Sequence, residues 1–309
     1  MRILVLANQN WGKLCIEELI RNGEKVIGII TDESPLEINW YASMWEVGQK
    51  HNLPVRHSKN IKEEVDQVLA FNPDLIVSIG FRQILSAAII RAASQGCINL
   101  HGSLLPKYRG HAPLNWAIIK GEPETGVTLH YINEGVDTGD IILQEAVSIT
   151  EQDTAITVYE KTLPLYPKLL LEAVTLIKNN QVQRKPQHPH EGFYCCRRYP
   201  KDSQIEWKEQ SAREVYNFVR ALTGPYPTAF TFLGEKKVFI TQTSLPEKKY
   251  YGPAGRVGYK LGEKVIVICK DQGIQVERIK LEENGPEIPP GSVLSSGNDF
   301  NYKDIIVFV

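Results

Sequence analysis

Over its first 150 residues the chain alternates short apolar runs with amphipathic stretches, and this alternation restricts the fold more than any other feature. The apolar runs have the continuous hydrophobic character of strands that are buried on both faces. The stretches between them place apolar residues at helical spacing. A repeated strand, helix, strand order predicts an α/β fold with a Rossmann-like, mostly parallel sheet.

The strands and helices of this first region can be placed individually. The predicted strands are Arg2–Ala7, Lys25–Thr31, Leu75–Ile79 and residues 97–100, 127–132 and 141–147. The predicted helices are residues 13–21, 42–51, 61–71 and 154–178. Pro164 and Pro167 fall inside the last helix, where they should kink it or shift its start.

A second, smaller domain is expected after a polar segment at residues 179–191, which carries two prolines and no apolar periodicity, as interdomain linkers do. We therefore place a catalytic domain at 1–185 and a second domain at 192–309. A helix at 211–222 and short strands separated by Gly and Pro turns predict an OB-like β-barrel domain with a leading helix. These strands are expected at residues 228–233, 238–243, 265–269 and 274–280.

The composition narrows the class of protein. A chain of 309 residues with 42% hydrophobic and 23% charged residues is ordinary for a globular protein of two domains. Its net charge of −1 provides no positive field for a polyanion, which argues against a nucleic-acid partner. The five cysteines show no CxxC spacing and are expected to be reduced thiols in a cytoplasmic protein. No apolar stretch approaches ~18 residues, so we expect no membrane segment.

Candidate catalytic groups lie where the predicted strand at 97–100 ends. Asn99 and His101 are two residues apart in an extended chain, so their side chains share one face. Asp137 lies in a turn flanked by glycines after the strand at 127–132 and can return to the same edge. Ligands of open α/β sheets bind at the carboxyl ends of strands. We therefore expect an amide, an imidazole and a carboxylate to meet there.

Such a trio suits acyl transfer to an amine, in which an oxyanion develops and a proton must leave. The Asn99 amide can stabilise the oxyanion. His101 can exchange the proton near neutral pH, and Asp137 can orient the imidazole and raise its basicity. Taken singly, however, Asn, His and Asp in loops are ordinary surface or turn residues. The spacing alone does not decide between these interpretations.

Rival interpretations have less support in the sequence. No GxGxxG follows the first strand and no GxxxxGK[ST] occurs, which disfavours NAD-type and P-loop folds. A metal site built from His188, His190, Cys195 and Cys196 would follow no usual zinc spacing, so we expect no metal. A non-catalytic protein whose barrel binds a partner or an oligonucleotide stays open, since such barrels often do so.

The motif from His101 onward resembles a known family. The run HGSLLPKYRGHAPLNWAI, followed by ETGVTLH and GVDTGDI, is similar to the 10-formyltetrahydrofolate-dependent formyltransferases. The resemblance spans nearly the whole chain and implies that Asn99, His101 and Asp137 form the catalytic triad. It also implies that 10-formyltetrahydrofolate is the formyl donor. The residues implied in folate binding are Gln83, Ile84, Leu85, His111, Asn133, Glu134, Gly135, Val136 and Asp137.

The branches of this family differ in the amine that they formylate. Methionyl-tRNA formyltransferases carry a basic loop after the second strand, but residues 31–50 here contain no Lys or Arg before Lys50. The motif PKYRGHAPLNW and the run RRYPKDSQIEW resemble the sugar-nucleotide N-formyltransferases, particularly the domain that formylates UDP-4-amino-4-deoxy-L-arabinose. That domain has Arg at the position of His111, which puts the folate contact there in doubt.

The resemblance thus implies a nucleotide-linked amino sugar, of dTDP or UDP type, as the acceptor. A methionyl-tRNA substrate is the alternative. A diphosphate needs cationic or backbone donors, and a base or sugar needs an aromatic surface. Candidates for these contacts are Lys107, Tyr108, Arg109, Arg197, Arg198 and Tyr199. Each could equally be part of a solvated polar surface. The apolar strands of the barrel could also form a homodimer surface.

Overall fold

The computed structural model describes residues 1–33, 41–298 and 300, and it divides the chain into two compact units. Unit 1 consists of Met1–Pro113, Glu124–Ser148 and Tyr159–Cys196. Unit 2 consists of Leu114–Pro123, Ile149–Val158 and the chain from Arg197 onward. The limits 1–185 and 192–309 stay a prediction. Residues 34–40, which belong to the segment after the second strand, lie outside the described residues.

Unit 1 is built on a seven-stranded sheet. Its strands are β1 (Arg2–Ala7), β2 (Lys25–Thr31), β3 (Val55–His57), β4 (Leu75–Ile79), β5 (Cys97–His101), β7 (Glu124–Tyr131) and β8 (Ile141–Ser148). The order across the sheet is β3-β2-β1-β4-β5-β7-β8; the first five strands pair in parallel, β7 pairs antiparallel with β5, and β8 pairs antiparallel with β7. The predicted Rossmann-like, mostly parallel sheet is confirmed. A two-stranded ladder pairs β6 (Arg109–Gly110) with β9 (Tyr194–Cys195).

The helices of unit 1 agree with the prediction in part: those at 87–90 and 113–119 were not predicted, and two of the predicted helices differ in extent. They are α1 (Gln9–Arg21), α2 (Met44–His51), α3 (Val65–Leu69), α4 (Ala87–Ile90) and α7 (Leu165–Lys178), while α5 (Pro113–Ile119) and α6 (Ala155–Thr162) each contribute to both units. The helix predicted at 154–178 is divided, and Pro164 caps the start of α7, because a proline cannot continue a helix. The helix predicted at 61–71 is reduced to a 3₁₀ turn and the short α3.

Both faces of the parallel sheet are covered by core. Along β1, the side chains of Ile3 and Val5 enter one hydrophobic cluster and those of Leu4 and Leu6 enter another. Successive side chains of a strand point to opposite faces, so these are the two cores of a three-layer arrangement. The continuous apolar character of the strands, which predicted burial on both sides, is explained by this arrangement.

One strand of the sheet was missed from the sequence. β3 contains only Val55, Arg56 and His57, which form no apolar run, yet it pairs with β2 at the sheet edge. An edge strand needs less hydrophobic character than a central one because one side of it lacks a neighbour. Consequently the strand that leads to the candidate site is the fifth of the chain, where the sequence predicted the fourth.

Unit 2 contains a helix and an antiparallel sheet. The helix is α8 (Ala212–Ala221), which begins with a capping box between Ser211 and Glu214. The strands are β10 (Phe230–Leu233), β11 (Lys236–Ser244), β12 (Val257–Leu261), β13 (Lys264–Ile268) and β14 (Gly273–Lys280), in the order β10-β11-β14-β13-β12. The predicted smaller antiparallel β domain with a leading helix is confirmed. β12 was missed because it is mostly exposed and lacks an apolar run.

None of the helices in the described part of the chain combines the length and apolar character that a membrane span requires.

We expect the core beneath the sheet to be sensitive to cavity formation. Leu6 is fully buried, whereas Leu69 on α3 is 48% exposed. Leu6→Ala should lower the free energy of unfolding by about 2–5 kcal/mol, because the cavity adds to the lost transfer free energy. The matched variant Leu69→Ala should cost much less. Urea unfolding followed by tryptophan fluorescence checks this, and equal losses in the two variants would contradict the core assignment.

Candidate active site

The candidate site is built on the pairing of β5 with β7. In this antiparallel ladder Asn99 lies opposite His130, and Asn99 Nδ2 is 3.2 Å from His130 Nε2. Ile98 and Leu100 enter the hydrophobic core on the other face. Asn99 and His101 therefore share one face, as the sequence predicted. His130 was not predicted, because its place opposite Asn99 depends on the register between two strands about 30 residues apart.

The third predicted residue, Asp137, lies in a compact loop between β7 and β8. The Asn133 side chain folds this loop by accepting hydrogen bonds from the Gly135 N–H at 3.0 Å and the Thr138 hydroxyl at 2.7 Å. Gly139 passes so close to Tyr131 that a Cβ would lie 1.8 Å from the Tyr131 carbonyl oxygen. Asp137 itself has φ of 52°, in the left-handed region. The loop thus holds this aspartate in a backbone conformation that is uncommon for residues other than glycine, although Asp and Asn adopt it more often than most.

The carboxylate of Asp137 reaches three partners. Its Oδ2 accepts the backbone N–H of Gly110 at 2.8 Å and lies 3.5 Å from His101 Nδ1. Its Oδ1 lies 3.6 Å from His130 Nε2. The structure therefore brings Asn99, His101 and Asp137 together, with His130 between the amide and the carboxylate.

The hydrogen-bond partners of the two imidazoles define their tautomers. His101 Nε2 is 2.8 Å from the carbonyl oxygen of Tyr108, and a carbonyl can only accept, so Nε2 carries the hydrogen. His130 Nδ1 donates in the same way to the Tyr131 carbonyl at 2.7 Å. In the neutral rings, His101 Nδ1 carries no hydrogen and presents its lone pair beside Asp137. His130 Nε2 likewise carries no hydrogen and accepts a hydrogen bond from the Asn99 amide. One hydrogen of the Asn99 amide is left for a ligand.

Burial keeps the His101 imidazole neutral. The side chain is almost fully buried, and this desolvation lowers the pKa of His101. The Asp137 carboxylate and the Tyr108 carbonyl act in the opposite direction, while His130 and His111 lower the pKa further. The neutral form leaves Nδ1 free to accept a proton.

Asp137 stays ionised despite its burial. Desolvation would raise the pKa of Asp137, but the Gly110 N–H and the charge that His101 and His130 carry when they are protonated outweigh it and hold the pKa well below its usual range. A negative charge is thus fixed 3.5 Å from the nitrogen that can take up a proton. The charge of Asp137 stabilises the imidazolium once that proton arrives.

The loop that supplies the Tyr108 carbonyl is fixed by polar contacts. The Ser103 hydroxyl donates to the Lys107 carbonyl at 2.8 Å, and the Thr128 hydroxyl donates to the Ser103 carbonyl at 2.6 Å. Gln144 Nε2 donates to the Leu105 carbonyl at 2.9 Å. These bonds fix the backbone that orients the imidazole of His101.

This arrangement can be compared with known proteins. A formyl transferase family model matches residues 1–174, and a model of the formyl transferase C-terminal domain matches residues 198–291. The chain belongs to the formyl transferase family. The resemblance noted from the HGSLLPKYRG motif is thereby confirmed.

Two relatives of this formyl transferase have names that describe different activities. One is the bifunctional polymyxin resistance protein ArnA of Wigglesworthia glossinidia brevipalpis, 36% identical over 280 residues, which cover 89% of this chain and 42% of ArnA. The chain therefore spans less than half the length of that relative. The other is the methionyl-tRNA formyltransferase of Alkaliphilus oremlandii (strain OhILAs), 32% identical over 91% of this chain and 92% of the relative.

A solved structure shares the fold of the formyl transferase. The N-formyltransferase from Helicobacter canadensis, in complex with folinic acid and dTDP-3-aminofucose, matches with a TM-score of 0.69 and 23% identity. The match covers 89% of this chain and 98% of that protein.

The residues of the formyl transferase predicted to bind folate lie in two loops of unit 1, at 83–85 and 133–137, and at His111. The Gln83 side chain is used internally, accepting from the Ile61 N–H at 2.7 Å and donating to the Ser58 carbonyl at 2.8 Å. Leu85 is buried in the core, but Ile84 is 60% exposed and Val136 is 44% exposed. Each loop thus presents an apolar side chain, as binding of a flat, largely apolar ring requires.

The remaining predicted folate residues are exposed. Glu134 lies 3.9 Å from Arg91 in a solvent-exposed ion pair, and Gly135 packs on Thr138. The exposed His111 donates its backbone N–H to the Cys195 carbonyl. A pocket of about 820 Å³ includes Asn133 and Gly139 of this loop in its lining.

The residues predicted to contact the acceptor are divided between the two units. In unit 1 Lys107 is exposed, whereas Tyr108 and Arg109 are buried and make internal contacts, which favours a structural role for these two. In unit 2 the guanidinium of Arg198 lies near the rings of Trp116 and Phe218, at 5.2 and 5.3 Å. There Arg197 lies 5.6 Å from the ring of the exposed Tyr199.

In the described ranges 1–33, 41–298 and 300, no cluster of three or more His, Cys, Asp and Glu side chains is placed to hold a metal ion.

The electrostatic account of His101 can be checked by NMR titration. We expect its imidazole to titrate below the usual range, because burial dominates. Asp137→Asn should lower the pKa of His101 further, since the carboxylate raises it, and His111→Gln should raise it. A His101 pKa that does not fall in Asp137→Asn would show that the carboxylate does not act on this ring.

Proposed function

We propose that this formyl transferase moves the formyl group of 10-formyltetrahydrofolate to the amine of a nucleotide-linked amino sugar. The observation that carries this proposal is the group of Asn99, His101 and Asp137, in which the buried, neutral imidazole of His101 lies 3.5 Å from a carboxylate. The family assignment makes formyl transfer its chemistry.

Each of the three residues has one role in the reaction. When an amine attacks the formyl carbon, negative charge develops on the formyl oxygen, and the free hydrogen of the Asn99 amide stabilises it. The amine nitrogen becomes positively charged and must lose a proton, which His101 Nδ1 accepts. Asp137 then stabilises the resulting imidazolium across the 3.5 Å contact. The imidazolium returns the proton to N10 of the folate as the bond between N10 and the formyl carbon breaks, which releases tetrahydrofolate and the formylated amine.

The folate donor is supported by the character of the loops beside the trio. Ile84 and Val136 expose apolar surface, and the compact turn at 133–138 offers backbone groups to a pterin. The Helicobacter canadensis protein of the same fold is bound to folinic acid. 10-Formyltetrahydrofolate would supply the activated formyl group, and this chain orients it.

A sugar acceptor is favoured over a charged tRNA by the charge of the chain. The segment after β2 has no Lys or Arg between residues 31 and 49, so it would repel rather than bind phosphates of a tRNA backbone. The Helicobacter canadensis protein is bound to dTDP-3-aminofucose. A methionyl-tRNA acceptor stays the second candidate, because a methionyl-tRNA formyltransferase is 32% identical over nearly its whole length.

A direct assay separates these acceptors. Purified protein is incubated with 10-formyltetrahydrofolate and either dTDP- or UDP-linked 3-amino and 4-amino sugars or methionyl-initiator tRNA. We expect tetrahydrofolate release and a mass gain of one formyl group only on a sugar nucleotide. Formylation of the charged tRNA alone would reverse the proposed acceptor, and release with no acceptor would contradict formyl transfer altogether.

The role of the imidazole is tested by one substitution. His101→Ala should reduce kcat by about 10²–10⁴-fold, the contribution usual for acid-base catalysis, because it removes the imidazole that accepts the proton of the amine. The exposed His190 provides a matched control, and His190→Ala should retain activity. Circular dichroism and thermal melting check that both variants fold. A folded His101→Ala variant with an ordinary rate would rule out this base.

A further inference from the structure

Gln187 connects two parts of unit 1 that surround the candidate site. Its Nε2 donates to the carbonyl oxygens of Asp137 at 2.9 Å and Gly139 at 2.7 Å. Its Oε1 accepts from the guanidinium of Arg109, at 3.2 Å from Nε and 2.8 Å from Nη2. All of the strong hydrogen-bonding capacity of this amide is therefore used between Arg109 and the loop that carries Asp137.

Arg109 gives the amide a rigid support. The side chain is 2% exposed, its guanidinium lies 5.5 Å from the ring of Tyr194, and its backbone N–H donates to the Phe193 carbonyl. A buried guanidinium that donates twice to Oε1 polarises the amide and strengthens the bonds donated from Nε2. The contacts between β6 and β9 thus hold Gln187 in place.

The same short strand also holds the carboxylate of Asp137. Gly110, next to Arg109, donates its N–H to Asp137 Oδ2 at 2.8 Å. Arg109 acts on the Asp137 backbone through Gln187, and Gly110 acts on the Asp137 side chain directly. Asp137 is thereby held at two points by one element.

Such restraint matters because Asp137 has φ of 52°. Aspartate adopts this left-handed region more readily than most residues, but the conformation still costs free energy relative to an ordinary backbone and is held by its surroundings. Without the two bonds from Gln187, the loop can relax toward an ordinary backbone conformation, and the carboxylate would leave its position 3.5 Å from His101 Nδ1.

We propose that Gln187, supported by the buried Arg109, is a positioning residue that holds Asp137 against His101 for the proton transfer. Gln187 belongs to the polar segment at 179–191 and lies 50 residues after Asp137 in the sequence. The proposal rests on the proposed function of the site, and its prediction for the His101 pKa holds whatever the substrate is.

Gln187→Met tests the proposal without changing the charge. Methionine is similar in length but can neither donate to the two carbonyls nor accept from Arg109 as an amide does. We expect the pKa of His101 to fall in an NMR titration, because the Asp137 carboxylate that raises it moves away. In the acceptor assay kcat should fall by about 10–100-fold with KM nearly unchanged, as expected of a misplaced catalytic group.

Gln187→Glu separates positioning from stability. A carboxylate keeps an acceptor for Arg109, and pairs with it more strongly, but it cannot donate to the carbonyls of Asp137 and Gly139. We expect a folded protein with a thermal midpoint near that of the wild type and a reduced kcat. A merely structural role for Gln187 requires instead that Gln187→Glu retain the wild-type kcat, and that result would overturn the proposal.

Gln183, an exposed glutamine of the same segment, is the matched control. Gln183→Met should leave both the His101 titration and kcat unchanged. An unaltered His101 pKa in a folded Gln187→Met variant would overturn the positioning role even if kcat fell. If neither wild type nor variants transfer formyl groups while the His101 pKa still falls in Gln187→Met, the proposed function fails and the positioning of Asp137 stands.

Discussion

The chemistry of this molecule depends on a carboxylate held close to a buried imidazole. Asp137 remains charged because its pKa lies below the usual range: the Gly110 N–H and the neighbouring imidazoles, when protonated, outweigh the cost of its burial. His101 remains neutral because its own burial outweighs the attraction of Asp137. A proton taken up by Nδ1 then enters a site that already contains the compensating charge, so little reorganisation is needed when the proton moves.

The fold meets this requirement by combining a rigid face with a constrained loop. β5 and β7 lie within a sheet whose other face is packed with core residues, so the side chains of Asn99 and His130 are fixed by the ladder between the strands. Asp137 comes from a loop, and loops are usually the mobile part of a site. Here internal bonds from Asn133, and bonds from Gly110 and Gln187, fix the loop as well. The position of the Asp137 carboxylate is therefore fixed by hydrogen bonds, as the positions of Asn99 and His130 are fixed by the sheet.

Much of the fold and part of the candidate site could be predicted from the sequence. The residues that could not be predicted were missed for physical reasons. Strands such as Leu75–Ile79 are buried on both faces, so a continuous apolar run marks them to the residue. Asn99 and His101 share a face because the period of a strand is two residues. His130 and Gln187 could not be found in this way. Their roles depend on strand register and on contacts between distant segments, and neither leaves a local pattern in the sequence.

The most direct measurement is a crystal structure of the protein with bound 5-formyltetrahydrofolate, a stable analogue of the donor. The account requires the pterin to lie between the loops of Ile84 and Val136. It also requires the formyl carbon to lie within about 4 Å of both the Asn99 amide and His101 Nδ1, the reach of a hydrogen bond with some allowance for the analogue. A folate bound elsewhere, or one whose formyl group points away from Asn99 and His101, would contradict the central claim that these side chains surround the reacting carbon.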